Sequence, residues 1–225
     1  MRSLFAFILV YVIRIFSHLF YRLEVRWLSE HSDAHWERVR LAVLMNHTSL
    51  YEPLFNPVLP PKFLWKFLSR MAAPAADDTL KRPIVGTFWK LMIPHASSIS
   101  RKRDDTWVEF MENIRPDSVV VIAPEGRMKR PNGLDKNGKP MTIRGGIADI
   151  LAGLDAGMMV LCYSGGLHHV QAPGQHFPRL FKTIKMNLEM IDIAEYKKNM
   201  PRDPKEFKLA VVADFQQKLE TRCPT

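Results

Sequence analysis

Three short, largely apolar runs, residues 39–45, 118–123 and 158–163, each stop on turn-forming or charged residues and are too short for helices. Such runs are strands of a sheet buried on both faces. A fourth stretch, residues 183–191, places Ile184, Met186, Leu188 and Met190 on alternate positions, the pattern of a half-exposed strand nearer a sheet edge. Helical patterns lie between and after them, at residues 53–55, 84–92, 105–114, 146–154 and 204–219. Strands alternating with helices predict an α/β fold, a mostly parallel central sheet flanked by helices. The 225 residues suffice for one such domain, and 47% hydrophobic against 24% charged residues excludes a disordered chain. Two cysteines, Cys162 and Cys223, exclude a disulfide framework and a ribbon of paired Cys-x-x-Cys zinc ligands. Cys162, inside an apolar run, reads as a small core residue.

The amino terminus is apolar in a different way. Fourteen of the seventeen residues 4–20 are apolar, the exceptions being Arg14, Ser17 and His18. As a helix the stretch is roughly 25 Å long, short of the ~30 Å core of a bilayer. No small-residue cleavage site follows, which argues against a signal peptide. Arg2, Arg14, Arg22 and Arg26 flank or interrupt it, and Tyr11, Tyr21 and Trp27 suit a headgroup region. The expectation is an apolar membrane-associated helical segment over residues 1–27, followed by an α/β domain over 28–225. A buried core helix is the alternative.

Thirty-two Lys and Arg against 23 Asp and Glu leave a net charge of +9, which calls for a polyanionic partner. Lys62, Lys66 and Arg70 recur every fourth residue beside Phe63, Leu64, Phe67 and Leu68, on a helix that faces either lipid or core. Nucleic acid ranks behind a lipid surface, because it gives the apolar amino terminus no role. His31 and His35 straddle Asp33 in a polar, exposed setting, so no metal is expected there. His168, His169 and His176 fall in a loop that reads as a plain polar one, with the site mouth as its other possible place.

Two strand ends carry the chemistry. The run 39–45 ends on Asn46-His47, placing an imidazole at a strand's carboxyl end, where α/β folds site their ligands. Five residues on, Glu52 stands just ahead of Pro53 and can reach back to that imidazole to hold its tautomer. The same Ser49-Leu50-Tyr51-Glu52 also matches a capping box, in which Glu52 only satisfies a backbone amide. The run 118–123 ends in Pro124-Glu125-Gly126-Arg127-Met128-Lys129-Arg130, delivering a glycine for close approach and then cations. Residues 98–103 add Arg101, Lys102 and Arg103, and the turn-rich stretch 129–140 reads as an exposed loop beside the second motif.

These blocks, in this order and spacing over about residues 42–163, resemble the 1-acyl-sn-glycerol-3-phosphate (lysophosphatidic acid) acyltransferase family of the glycerolipid acyltransferases. Asn46-His47 through Glu52 resembles the family's Asn-His followed, after four intervening residues, by Asp. Arg101, after Gly86 and Ile99, resembles the arginine of its second block. Pro124-Glu125-Gly126-Arg127-Met128 resembles its Pro-Glu-Gly-Thr-Arg. Three departures stand out: Glu52 in place of Asp, Arg127-Met128 in place of Thr-Arg, and no proline in Val160-Leu161-Cys162-Tyr163.

The resemblance implies an O-acyltransferase that moves a fatty acyl group from acyl-CoA or acyl carrier protein to a lysophospholipid hydroxyl in membrane lipid synthesis. It implies His47 as base and Glu52 as its partner, with Asn46, Arg101, Glu125, Gly126 and Arg127 at the acceptor. No metal and no cofactor beyond the acyl donor are implied. Its partners would be membrane lipids, the lysolipid and the thioester, at the cytoplasmic face of a bacterial inner membrane. Two other readings fit the same residues: an acyltransferase for another lysolipid such as a lyso-ornithine lipid, and an inactive membrane-surface binding protein of the same fold.

Overall fold

The computed structural model of the chain describes residues 2–76, 86–87, 95–99, 105–172, 175 and 177–225. Helix α1, Arg2–Phe20, leads directly into strand β1, Tyr21–Trp27. A short helix α2, Asp33–Glu37, precedes β2, Val39–Met45. A 3-10 segment, Glu52–Val58, and helix α3, Pro61–Arg70, lead to β3, Met71–Ala76. Then come β4, His95–Ile99, helix α4, Asp105–Glu112, β5, Val119–Ile122, and helix α5, Gly146–Gly153. Strands β6, Met158–Ser164, and β7, Lys182–Asp192, are followed by helices α6, Ile193–Lys198, and α7, Pro204–Arg222.

The strands form one seven-stranded sheet in the order β1-β7-β6-β2-β5-β3-β4. Every described pairing is parallel except β6 with β7, which gives the mostly parallel α/β sheet expected from the sequence. Every residue of β6 is buried, as a central strand covered on both faces requires. Alternation then sorts the side chains into two cores. Leu41, Val43, Met159, Leu161 and Tyr163 pack with Phe110, Ile147, Leu151 and Phe215 from α4, α5 and α7. Ala42, Met158, Val160 and Cys162 face the other way, against Trp36, Phe55 and Phe63.

One expectation changes here, and one left open is decided. Residues 21–27 are not a flank of the apolar helix: they form the edge strand β1, in parallel register with β7 from Tyr21↔Lys182 to Trp27↔Leu188. Strand β7 is accordingly one in from the edge. Helix α3 faces the core, with Phe63, Leu64 and Leu68 buried and Trp65 left half-exposed. Most of the helix expected at 84–92 lies outside the described residues; Gly86 and Thr87 are helical.

Helix α1 is 19 residues, about 28 Å at ~1.5 Å per residue. Among the described residues no helix is long and apolar enough to cross a membrane. One face of α1 is instead sealed to the protein. Ala6, Val10 and Ser17 are buried, and Ser17 Oγ donates to Leu54 O at 2.7 Å. Arg14 donates to Leu59 O at 2.8 Å and Pro57 O at 3.2 Å, and Asn56 Nδ2 donates to Val10 O at 3.0 Å. These bonds satisfy the carbonyls that end the 3-10 segment and tie α1 to the element that begins at Glu52. The opposite face carries Leu4, Phe5, Ile8, Val12, Ile15 and Leu19, each more than half exposed.

Candidate active site

Strands β2 and β5 are adjacent and parallel, with Leu41 opposite Val120 and Val43 opposite Ile122. That register delivers Asn46-His47 and Pro124-Glu125 side by side at the carboxyl edge of the sheet. Strand β6, parallel to β2 on its other side, brings Ser164 and the loop after it to the same edge.

Asn46 turns the chain here. Its φ of 61° lies in the left-handed region, which Asn tolerates better than most residues. The turn aims two consecutive amides at one carboxylate: Asn46 N–H donates to Glu125 Oε1 at 2.7 Å and His47 N–H to Glu125 Oε2 at 3.2 Å. The Asn46 side chain donates to Ser164 O at 2.9 Å. Gly166, at φ 85°, comes so close that a Cβ there would lie 3.5 Å from Asn46 Nδ2 and from Thr48 Cγ2. Thr48 Oγ1 accepts from Leu167 N–H at 2.8 Å, and Ser49 Oγ donates to Gln171 at 2.9 Å. The turn is thus held from the ends of two neighbouring strands, β5 and β6, and from the loop after β6.

His47 Nδ1 stands 2.7 Å from Glu52 Oε1. A carboxylate can only accept, so Nδ1 carries the proton and Nε2 is the free nitrogen. Among the described residues Nε2 has no hydrogen-bond partner, and the imidazole side chain is 21% exposed. Glu52 Oε1 also accepts from Thr48 N–H at 3.2 Å. The orienting role read from the sequence is filled, but the Ser49–Glu52 capping box is not formed: Tyr51 precedes the 3-10 segment, and Glu52 takes the Thr48 amide rather than that of Ser49. Burial pulls the His47 pKa down, but the charge and hydrogen bond of Glu52, with Glu125 behind them, outweigh it and leave the pKa above the ordinary histidine value.

The residues expected at the acceptor divide. Glu125 is buried, with both oxygens engaged by backbone amides, so it braces the strand end rather than facing a ligand. Burial pushes its carboxyl up to about 6, against the pull of those amides and of His47. Gly126 adopts φ 67°, which favours glycine, but its N–H donates to Ala123 O at 2.9 Å. That amide is used within the turn. Arg127 forms an ion pair with Asp135, whose side chain is almost wholly buried. Asp135 also accepts from Asn137 N–H at 2.7 Å and Lys139 N–H at 2.9 Å. The Lys139 amide, then Arg127 and the Asn137 amide, outweigh burial and hold its carboxyl near 2. Arg127 so fastens the expected loop instead of standing free. Arg101 lies outside the described residues, as does His176.

Two cations the motifs did not single out stand closer to the turn. Lys129 donates its amide to His47 O at 2.8 Å and brings Nζ to 3.5 Å from Asn46 Oδ1. Arg144 donates its amide to Pro124 O at 2.8 Å, and its Cγ lies 3.7 Å from where a Gly126 Cβ would sit. The cationic run after Gly126 was a signal for Lys129; nothing local marked Arg144. His168 joins the edge of the site, its Nε2 2.7 Å from Lys129 O, while His169 bonds Thr183 O at the surface. His31 stacks on Trp27 instead, with ring centroids 3.6 Å apart. Cys162 is a core residue, its thiol pushed up to about 12 by burial and then by the Glu52 charge.

Fold and site together define a class: an α/β protein presenting a histidine–carboxylate pair at the carboxyl edge of a mostly parallel sheet. The 1-acyl-sn-glycerophosphate (LPA) acyltransferase PlsC of Thermotoga maritima shares this fold. It matches with a TM-score of 0.52 at 16% identity, over 96% of this chain and 81% of that one. No protein-family model matches the sequence, and a comparison with curated proteins finds no match.

Proposed function

We propose that this chain is a glycerolipid O-acyltransferase, moving a fatty acyl group from a thioester to the hydroxyl of an anionic lysolipid, with lysophosphatidate as the first acceptor to try. The observation that carries the reading is the His47–Glu52 pair at the carboxyl end of β2, with Nδ1 held at 2.7 Å and Nε2 left without a partner among the described residues. The shared fold with a lysophosphatidate acyltransferase supports it.

A thioester is already activated, so the hard step is deprotonating the alcohol, general-base work worth roughly 10²–10⁴-fold. The acceptor hydroxyl gives its proton to His47 Nε2 as its oxygen adds to the thioester carbonyl. Glu52 stabilises the imidazolium so formed. When the C–S bond breaks, the thiolate takes that proton and the ester is complete. No acyl-enzyme forms. With Arg127 committed to Asp135, the acceptor's anionic head is assigned to Lys129 and Arg144, and to Arg101 as the resemblance implies. Acyl-CoA or acyl carrier protein is the donor, which sets the site on the cytoplasmic side. The outward face of α1 rests on the membrane that holds the acceptor.

The test is a panel. The purified full chain is given radiolabelled acyl-CoA or acyl carrier protein with lysophosphatidate or a lyso-ornithine lipid. Labelled product from lysophosphatidate supports the reading, and product from the lyso-ornithine lipid alone moves the acceptor within the class. Absence of product from every pair contradicts it and favours an inactive lipid-surface protein.

A further inference from the structure

We propose that the segment from Phe177 to Lys182 is a second lipid anchor, inserting Phe177 and Phe181 into an anionic leaflet beside α1; this rests on the reading that the chain works at a membrane. Phe177 is 85% exposed and Phe181 77%, more than any other described large apolar side chain of the protein. Phe181 also adopts φ 58°, a left-handed conformation that a bulky side chain disfavours. A residue held in an unfavourable backbone state so that its ring points into solvent is what a surface with an apolar partner requires.

The segment is fastened to α1. Phe181 N–H donates to Phe20 O at 2.8 Å, and the two rings meet edge-on with centroids 5.7 Å apart. Behind it, Arg179 N–H donates to Val170 O at 2.8 Å, which fixes the near end of the loop. The Phe181 ring therefore sits at the end of α1, where Leu19 is itself two-thirds exposed, with Phe177 four residues before it. The flanking charge selects the partner. Arg179 and Lys182 are exposed, and no acidic residue occurs from 177 to 188. Arg22 is exposed on neighbouring β1, with Glu24 as its ion-pair partner at 3.5 Å. Two aromatic rings between cations fit lipid tails under anionic headgroups. A protein partner or a second copy of the chain would leave those cations without a stated counterpart.

Three full-length variants test the assignment: the double Phe177→Ser/Phe181→Ser, the double Arg179→Gln/Lys182→Gln, and Phe181→Gly. Co-sedimentation is measured with vesicles of phosphatidylcholine alone and of phosphatidylcholine mixed with phosphatidylglycerol. The phenylalanine double variant should lose about ten-fold or more in partitioning on the anionic vesicles, with an unchanged circular dichroism spectrum. The charge variant should lose binding to anionic vesicles only, and the wild-type difference between the two vesicles should shrink with salt. Phe181→Gly should unfold at a higher temperature yet bind more weakly, because glycine accepts the backbone conformation while the ring is gone. Wild-type partitioning in both double variants overturns the proposal. So does concentration-dependent self-association of the wild type that the phenylalanine changes abolish, which would make the patch an interface between copies. Vesicle binding is read without turnover, so a wild type that binds but transfers no acyl group refutes the enzymatic reading and leaves this one standing.

Discussion

Asn46 and His47 show how little chain is needed to build this site: two amides donate to one buried carboxylate, and a five-residue step returns Glu52 to the ring. The dyad makes a signed prediction. Glu52 raises the His47 pKa, so Glu52→Gln lowers it, and the acid limb of the pH–rate profile shifts to lower pH with a reduced plateau. An unshifted limb would remove Glu52 from the orienting role. Glu125 predicts a pH effect on stability. Its folded pKa is raised, to about 6, so its contribution is full below the unfolded value near 4.5 and is lost as pH rises through about 6. The stability advantage of wild type over Glu125→Gln therefore shrinks across that window, as denaturation midpoints at several pH values would report. Glu52 and His47 were legible in the sequence because their spacing is local. The bracing role of Glu125 was not, because its partners are 79 and 78 residues away and are backbone groups.

At the scale of elements, local pattern was readable wherever both faces of a strand are apolar, and β2, β5 and β6 lie where the runs placed them. Strand β1 was hidden because Arg22, Glu24 and Arg26 alternate along an edge strand that follows an apolar helix, which in sequence looks like a juxtamembrane flank. The Arg127–Asp135 pair was hidden because a cation at a strand end is as well suited to a ligand as to a loop carboxylate. Releasing that pair by Asp135→Ala should speed hydrogen exchange across residues 129–140 while leaving the central strands protected. Equal acceleration throughout would show the loop to be part of the global unit. Arg14, on α1, caps carbonyls at the end of the 3-10 segment. Arg14→Ala should cost about 2 kcal/mol in a denaturant titration, since hydrogen bonds to a charged group are being removed. A cost near zero would mean that apolar contact alone docks α1.

For the whole molecule the net charge is +9; among the described residues, Arg179 and Lys182 stand beside exposed Phe181, and Lys129 and Arg144 at the carboxyl edge of the sheet. Helix α1 seals one face against the 3-10 segment and leaves the other exposed, so that apolar surface is joined directly to the element that begins at Glu52. Under the two proposals made above, the excess charge meets different demands at different places: an anionic leaflet at Arg179 and Lys182, and an anionic acceptor at Lys129 and Arg144. In the proposed reaction, His47 takes the acceptor's proton at the sheet edge. The most direct test of this step is a single-turnover acyl-transfer assay comparing wild type with His47→Ala, both with circular dichroism spectra to show an intact fold. The variant should fall by at least about 10²-fold with its spectrum unchanged. Transfer by His47→Ala at a rate near that of the wild type would contradict this step.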